Sequence, residues 1–261
     1  VAKPKNTSIE KVEKNTALAG PMEPWEERML DQAKEDRANE TSGIPRINHK
    51  NGKLTIDGKA VKDNKLPHVI ADFVFLKEFY TEAYDPDVKA TPVCYAMGRD
   101  DKNMVPHEAA PDKQAERCTG CPHNAFGTAE KGKGKRCKDV RRVLAAVAAP
   151  DSDLGTGEFR TYTIPPGSLK AWGQYLSKIP DIEPRYKNVR AVLTEMAPQD
   201  EEAGYSLTFR ALERISREQV AQLQKRAAEM EPMLFAPYPV LSDEEKPKQA
   251  KRSAKASRKL D

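Results

Sequence analysis

The sequence predicts an α+β protein: an antiparallel sheet folded from hairpins, a few amphipathic helices, and a metal-braced insertion. Three observations predict it. Short runs rich in β-branched and aromatic residues recur between turn residues. Only a few stretches carry the helical period. The four cysteines of the 261-residue chain fall as C-x23-C-x2-C-x15-C, at Cys94, Cys118, Cys121 and Cys137.

In chain order, residues 1–22 are polar, Lys-rich and without period, which predicts a disordered arm. Glu23 to Asn39 has an early Pro, acids in its first turn, and Trp25, Met29 and Ala33 on one stripe, so a short helix completes an N-terminal segment of 1–43. The globular body spans 44–235. It opens with a hairpin turned at Asn51-Gly52, followed by a second turn at Asp57-Gly58. Leu66 to Tyr80 is the strongest strand; its alternating Phe73, Phe75 and Phe79 read as core. The cysteine module, 91–138, interrupts the strands.

Asp139 to Ala149 puts Val140, Val143, Leu144 and Val147 on one stripe, which predicts a helix. Glu158 to Ile164 alternates as a strand. Ser168 then caps a helix whose Leu169, Trp172 and Leu176 face inward. Asn188 to Ala197 and Tyr205 to Leu212 form a hairpin about residues 200–204. Ser216 to Glu229 is the last helix, with Ser216 and Gln219 as a capping box. Residues 236–261 carry little pattern and end in a basic run, read as a disordered basic tail. Five or six hairpin strands close most compactly as a small antiparallel barrel, and the OB fold is the nucleic-acid-binding form of such a barrel.

Composition limits the function. Charged residues make up 32% of the chain and mean hydropathy is −0.76, so part of it lacks the apolar surface to pack. Net charge is only +4, so positive charge acts through clusters rather than through the whole molecule. No apolar run is long enough to span a membrane and no signal peptide opens the chain. With reduced cysteines in a metal site, this predicts a reducing cytoplasm and no membrane partner.

Four thiolates with one C-x2-C pair match a tetrahedral all-cysteine zinc site, with sulfurs about 2.3 Å from the ion. Gly120 and Pro122 suit the tight turn between the paired sulfurs. With all four positions occupied by protein sulfur, such a zinc is structural and leaves no position for water or substrate. Two disulfides or four unrelated thiols are the alternative, and His107 and His123 are substitute ligands.

Positive charge concentrates beside this module. Lys131, Lys133, Lys135, Arg136, Lys138, Arg141 and Arg142 fall within one short run, interleaved with Gly132 and Gly134. That profile suits salt-dependent, sequence-tolerant contact with a phosphate backbone. Tyr80, Tyr84, Tyr95 and Phe126 are the neighbouring rings on which unpaired bases could stack. Gly127 to Lys133 has the spacing of a phosphate-binding P-loop, but Gly134 stands where the magnesium-binding hydroxyl belongs. None of His49, His68, His107 or His123 has metalloprotease spacing, and no catalytic triad is visible. The chain therefore reads as a non-enzyme.

Taken together, a P-R-I hairpin, a V-I strand ending in aromatics, a lone Cys, C-x2-C-P-x-N-x-F-G-T, G-x-G-K-x-C-K-x2-R-R and P-P-G-S-L-K-x-W-x-x-Y-L resemble a family of phage and prophage proteins. Some of its members are described as single-stranded DNA-binding proteins. The resemblance covers about residues 44–225 and implies zinc on Cys94, Cys118, Cys121 and Cys137, with single-stranded DNA and phage replication or transcription proteins as partners. It implies action in replication, recombination or transcription. Two features depart from it: the tail is basic where replicative single-strand binders end in acidic residues, and the segment with Trp25 precedes the shared core. The rival readings are a regulatory protein on duplex DNA, RNA or the host transcription machinery, and a zinc-braced nuclease.

Overall fold

Two glycine turns organise the start of the body. β1 (Ile47–Asn48), β2 (Thr55–Ile56) and β3 (Lys59–Ala60) form a small antiparallel ladder. Ile56 pairs with Lys59, leaving Asp57 and Gly58 as a two-residue loop with φ of 50° and 78°. Positive φ at both positions is the primed turn whose twist matches a hairpin. In the computed structural model, residue 29 and residues 45–82, 90–130, 133–147, 157–201 and 204–239 are described. The chain divides into two units, Val1–Gly43 and Ile44–Asp261, and the elements below belong to the second. The arm at 1–22, Trp25 and the tail beyond 239 lie outside the described residues, as does all of the predicted 23–39 helix except Met29.

The main sheet is built on β4 (Leu66–Phe79). β6 (Lys138–Val147) runs antiparallel along one edge of it. The other edge is shared end to end: β8 (Val192–Glu201) pairs with residues 66–69, and β5 (Cys94–Gly98) with residues 75–79. β7 (Glu158–Ile164) and β9 (Gly204–Arg214) are the outer strands, in the order β7-β6-β4-β8-β9. Between Ile70 and Asp72 the register slips by one residue. That bulge swaps the parity of the strand, so Phe73, Phe75, Lys77 and Phe79 share the face that Leu66 and Ile70 occupy before it.

The segment predicted as a helix at 139–149 is instead strand β6. Its stripe at Val140, Val143, Leu144 and Val147 fits a helix, but residues 143–146 are all fully buried, two on each side of the sheet. A central strand covered on both faces reads as a continuous apolar run, and such a run does not reveal its period.

Each face has its own core. On the first, Ile70, Val143, Tyr162 and Ile164 meet Trp172, Tyr175 and Ile179 of α1 (Leu169–Ile182). On the second, Val74, Leu76, Leu144 and Phe159 meet Leu223 and Ala227 of α2 (Arg217–Glu229) and Leu234 of α3 (Pro232–Phe235). The Ser216–Gln219 capping box forms as predicted. Ser168 does not cap α1 with its side chain; its buried Oγ accepts from Leu207 N–H at 2.7 Å and ties the helix start to β9. No described helix is long and apolar enough to cross a membrane.

The sheet is not a closed barrel. No ladder joins β7 to β9; a side chain bridges them. His49 Nε2 donates to the Thr163 carbonyl on β7 at 2.7 Å, and Nδ1 accepts from the Tyr205 hydroxyl on β9 at 2.8 Å. The chain before β1 adds to the β7 edge through the Thr161 N–H, which donates to the Pro45 carbonyl.

A second histidine makes the fold acid-sensitive. His68 is fully buried, with Nδ1 3.1 Å from the Leu66 carbonyl and Nε2 3.0 Å from the Tyr162 hydroxyl, an arrangement suited to the neutral ring. Burial pushes its pKa down from 6.5 to about 4. The unfolded chain therefore takes up this proton first as pH falls. Stability is unaffected above pH 6.5, declines between 6.5 and 4 by about 3 kcal/mol, and levels off below. Denaturant melts of the protein and of His68→Gln across that range should show the decline in the first and its absence in the second.

Candidate nucleic-acid interface and cysteine cluster

The four cysteines converge. Cys94 opens β5, Cys137 immediately precedes β6, and Cys118 and Cys121 lie in the insertion between those strands. The paired cysteines sit in a tight turn: Cys121 N–H donates to the Cys118 carbonyl at 3.3 Å, with Gly120 at φ 83°. Asn124 Nδ2 donates to the same carbonyl at 2.9 Å. Cys137 N–H donates to the His123 carbonyl at 2.8 Å, which stitches the start of β6 to this turn. None of the four is in a disulfide, and all four line one cavity of about 20 Å³. That is room for a single atom-sized guest.

Burial pushes the Cys118 thiol up to about 11 and the Cys137 thiol up to about 12; the neighbouring Lys77 ammonium pulls both the other way. Burial also raises Cys94. Lys77 is itself buried, 2.7 Å from Asp139 and 2.8 Å from Asp101. Those two carboxylates outweigh its desolvation and raise its pKa, so it stays a cation against the cavity wall. Among the described residues, no group of three or more His, Cys, Asp or Glu is arranged to hold a metal ion as it stands. The cluster is therefore four thiols around one small space, with donor chemistry and room that fit zinc, and not a finished coordination shell. His123 also lines the cavity, its ring stacked on Phe79 with centroids 4.3 Å apart; His107 stacks on Tyr95.

The basic run divides by what holds each cation. Lys133 and Lys138 are exposed, and Lys138 Nζ donates to the Lys135 carbonyl at 2.7 Å. Lys135 is engaged by Asp139 at 2.8 Å and Asn124 at 3.2 Å, with its ammonium 5.0 Å from the Phe126 ring. Arg136 reaches Glu130 at 3.3 Å. Arg141 is half-buried and makes no ion pair with a described residue; its Nη1 donates to its neighbour's carbonyl. Lys131 lies outside the described residues.

Arg142, expected to contact phosphate along a backbone, is instead buried at 4% exposure. Its Nη1 donates to the carbonyls of Leu234 at 3.0 Å and Ala236 at 2.6 Å. Neighbouring residues of a strand point to opposite faces, so Arg141 and Arg142 cannot serve one surface. Arg142 pins the chain after α3 to the second face, where Tyr238 packs on Tyr95 and its hydroxyl bonds Glu78. The packed chain thus runs past residue 235, the predicted end of the body. Arg142→Met should release this segment at a cost of about 3 kcal/mol, because buried acceptors lose a charged donor. Faster proteolysis near 236–239 and a lower Tm check it; an unchanged digest would refute the pin.

The predicted rings divide in the same way. Tyr95 is 2% exposed between His107 and Tyr238, so it is core and no base can reach it. Tyr80 is half-buried and donates to Glu78 at 3.2 Å. Tyr84 lies outside the described residues. Phe126 is 81% exposed, the most open large apolar side chain among those described.

The structure adds a row that pattern reading assigned to the core. Phe73 and Phe75 are only half-buried, and each carries a guanidinium: Arg190 is 5.7 Å from the Phe73 centroid and Arg141 is 4.1 Å from that of Phe75. Arg136 stands 5.4 Å from the buried Phe79 ring. Arg190 also donates to the Ala71 carbonyl and Asp72 in the gap that β5 and β8 leave along β4. The rings were legible in the i, i+2 alternation. Their pairing with cations was not, because Arg141 comes from β6 and Arg190 from the turn before β8.

No protein-family model, no curated protein and no solved structure matches the chain. The resemblance to phage single-strand binders therefore rests on the sequence motifs alone.

Proposed function

We propose that the protein binds single-stranded DNA across the first face of its sheet without catalysing a reaction. One observation carries the reading: the half-exposed Phe73 and Phe75 are same-face neighbours on β4, each with a guanidinium over its ring. Same-face neighbours on a strand are about 6.6–6.8 Å apart, and rings at such intervals beside cations suit unpaired bases and their phosphates. Exposed Phe126, Lys133 and Lys138 extend the surface toward the insertion. The sheet then acts as an OB-like, incompletely closed barrel, a form that binds oligonucleotides on an exposed face.

In the same proposal Cys94, Cys118, Cys121 and Cys137 hold a structural zinc that fixes Phe126 and Arg136 beside the sheet. The zinc would supply cross-linking alone, since four sulfurs leave no open position. In a phage-infected bacterium such binding would serve replication, recombination or transcription. The deciding experiment compares an oligonucleotide with its duplex at several salt concentrations. Preference for the single strand that persists at high salt supports stacking; equal or stronger duplex binding refutes the reading.

A further inference from the structure

A second cavity lies at the β7 edge of the sheet, between the β1 segment and β7. Its volume is about 240 Å³, larger than the ~150 Å³ that admits a benzene-sized guest. Arg46, Lys50 and Arg142 line it with Thr163, Tyr205 and Tyr238, and none of the described lining residues is a carboxylate. Arg46 makes no ion pair or hydrogen bond through its guanidinium to any described residue. Arg142 spends Nη1 on the Leu234 and Ala236 carbonyls and lies 5.2 Å from the centroid of the Tyr238 ring. The buried acid nearby, Glu78, is already bonded by the hydroxyls of Tyr80 and Tyr238. Two guanidiniums thus face one polar space with a single nearby carboxylate, Glu78, to offset them; burial first and Arg142 second hold the Arg46 pKa below its usual value, and Glu78 opposes them only in part.

We propose that this cavity is a binding site for a nucleoside phosphate, with the phosphate on Arg46 and Arg142 and the nucleoside against Tyr205 and Tyr238. A phosphate offers the acceptor oxygens that planar guanidiniums match, and it relieves the repulsion between them. The tyrosine rings supply the apolar wall that inorganic phosphate would not use. The site is separate from the Phe73–Phe75 row, because Arg142 and Arg141 face opposite sides of β6. The ligand is either a free nucleotide or the 5′-phosphorylated end of a strand, and both present the same chemistry.

The test is calorimetry and thermal melting of the full chain with dTMP, thymidine and inorganic phosphate, and with oligothymidylate bearing a 5′-phosphate or a 5′-hydroxyl. dTMP should raise Tm and bind roughly tenfold or more tighter than thymidine or inorganic phosphate. Arg46→Gln should remove most of that difference with the ligand-free Tm unchanged. Should that variant fold poorly, Asn48→Trp at the exposed rim should block dTMP by filling the cavity. Tighter binding of the 5′-phosphorylated oligonucleotide identifies a strand end as the source; dTMP binding without that preference identifies the free nucleotide. Equal binding of thymidine and dTMP, or undiminished dTMP binding by both variants, overturns the site. Phe75→Ala should leave dTMP binding intact, so failure here is distinguishable from failure of the strand-binding reading.

Discussion

Protein purified without chelator is expected to carry roughly one zinc per chain, and stripping it should unfold the insertion while the sheet survives. The physical basis is how little else supports residues 99–137. Neither main core cluster includes any of them; their own cluster holds Met104 and Cys118 packed with Ala96 and Phe75. Among the described residues of this span the regular structure is a single turn, Pro122–Asn124. A segment with so small a core needs a staple, and structural zinc supplies about 10–16 kcal/mol in small domains. Cys137→Ser should therefore make the insertion protease-sensitive while far-ultraviolet circular dichroism of the sheet changes little. Binding should release protons, since the buried thiols are held protonated in its absence. A metal-free protein with a protected insertion, or a Cys118–Cys121 disulfide, would sink the assignment.

The second large effect is on strand binding. Phe75→Ala should weaken single-stranded binding by about 1–3 kcal/mol, a factor of roughly five to more than a hundred, with the salt slope unchanged. Arg141→Gln should weaken every sequence alike and make the slope shallower by roughly 0.7. Lys135→Gln is the control from the same basic run. Its ammonium is engaged by Asp139 and Asn124, so its loss should lower stability of the insertion more than it alters the slope. Log affinity against log salt separates the three. Equal loss of duplex and single-strand binding by Phe75→Ala would mean that the ring only supports the fold.

Local pattern was informative where β-branched and aromatic residues between turn signals, or a cap, mark an element. β7 appears at the predicted residues, β4 ends one residue short of prediction, and the capping box opens α2 as its spacing requires. It failed at β6, where burial is two-sided and the large apolar residues also happen to fit a helical stripe. β6 has apolar residues on both faces, and its helical stripe was an accident of which of them are large. The same error concealed the opposite fates of Arg141 and Arg142, because a helix read across them hides the alternation that separates them.

The sequence by itself determined the α+β class, the bulk of the strand order along the chain, and the cysteine spacing that brings four thiols to one cavity. These follow from short-range periodicity, turn residues and covalent distance. Only the tertiary structure decided which charged and aromatic side chains remain available. The bulge in β4, the register that sets Arg141 opposite Phe75, and the return of Tyr238 over the second face all depend on partners far along the chain. Burial is a property of what packs against a residue, so Tyr95 and Arg142 became core while Phe73 and Phe75 stayed half open.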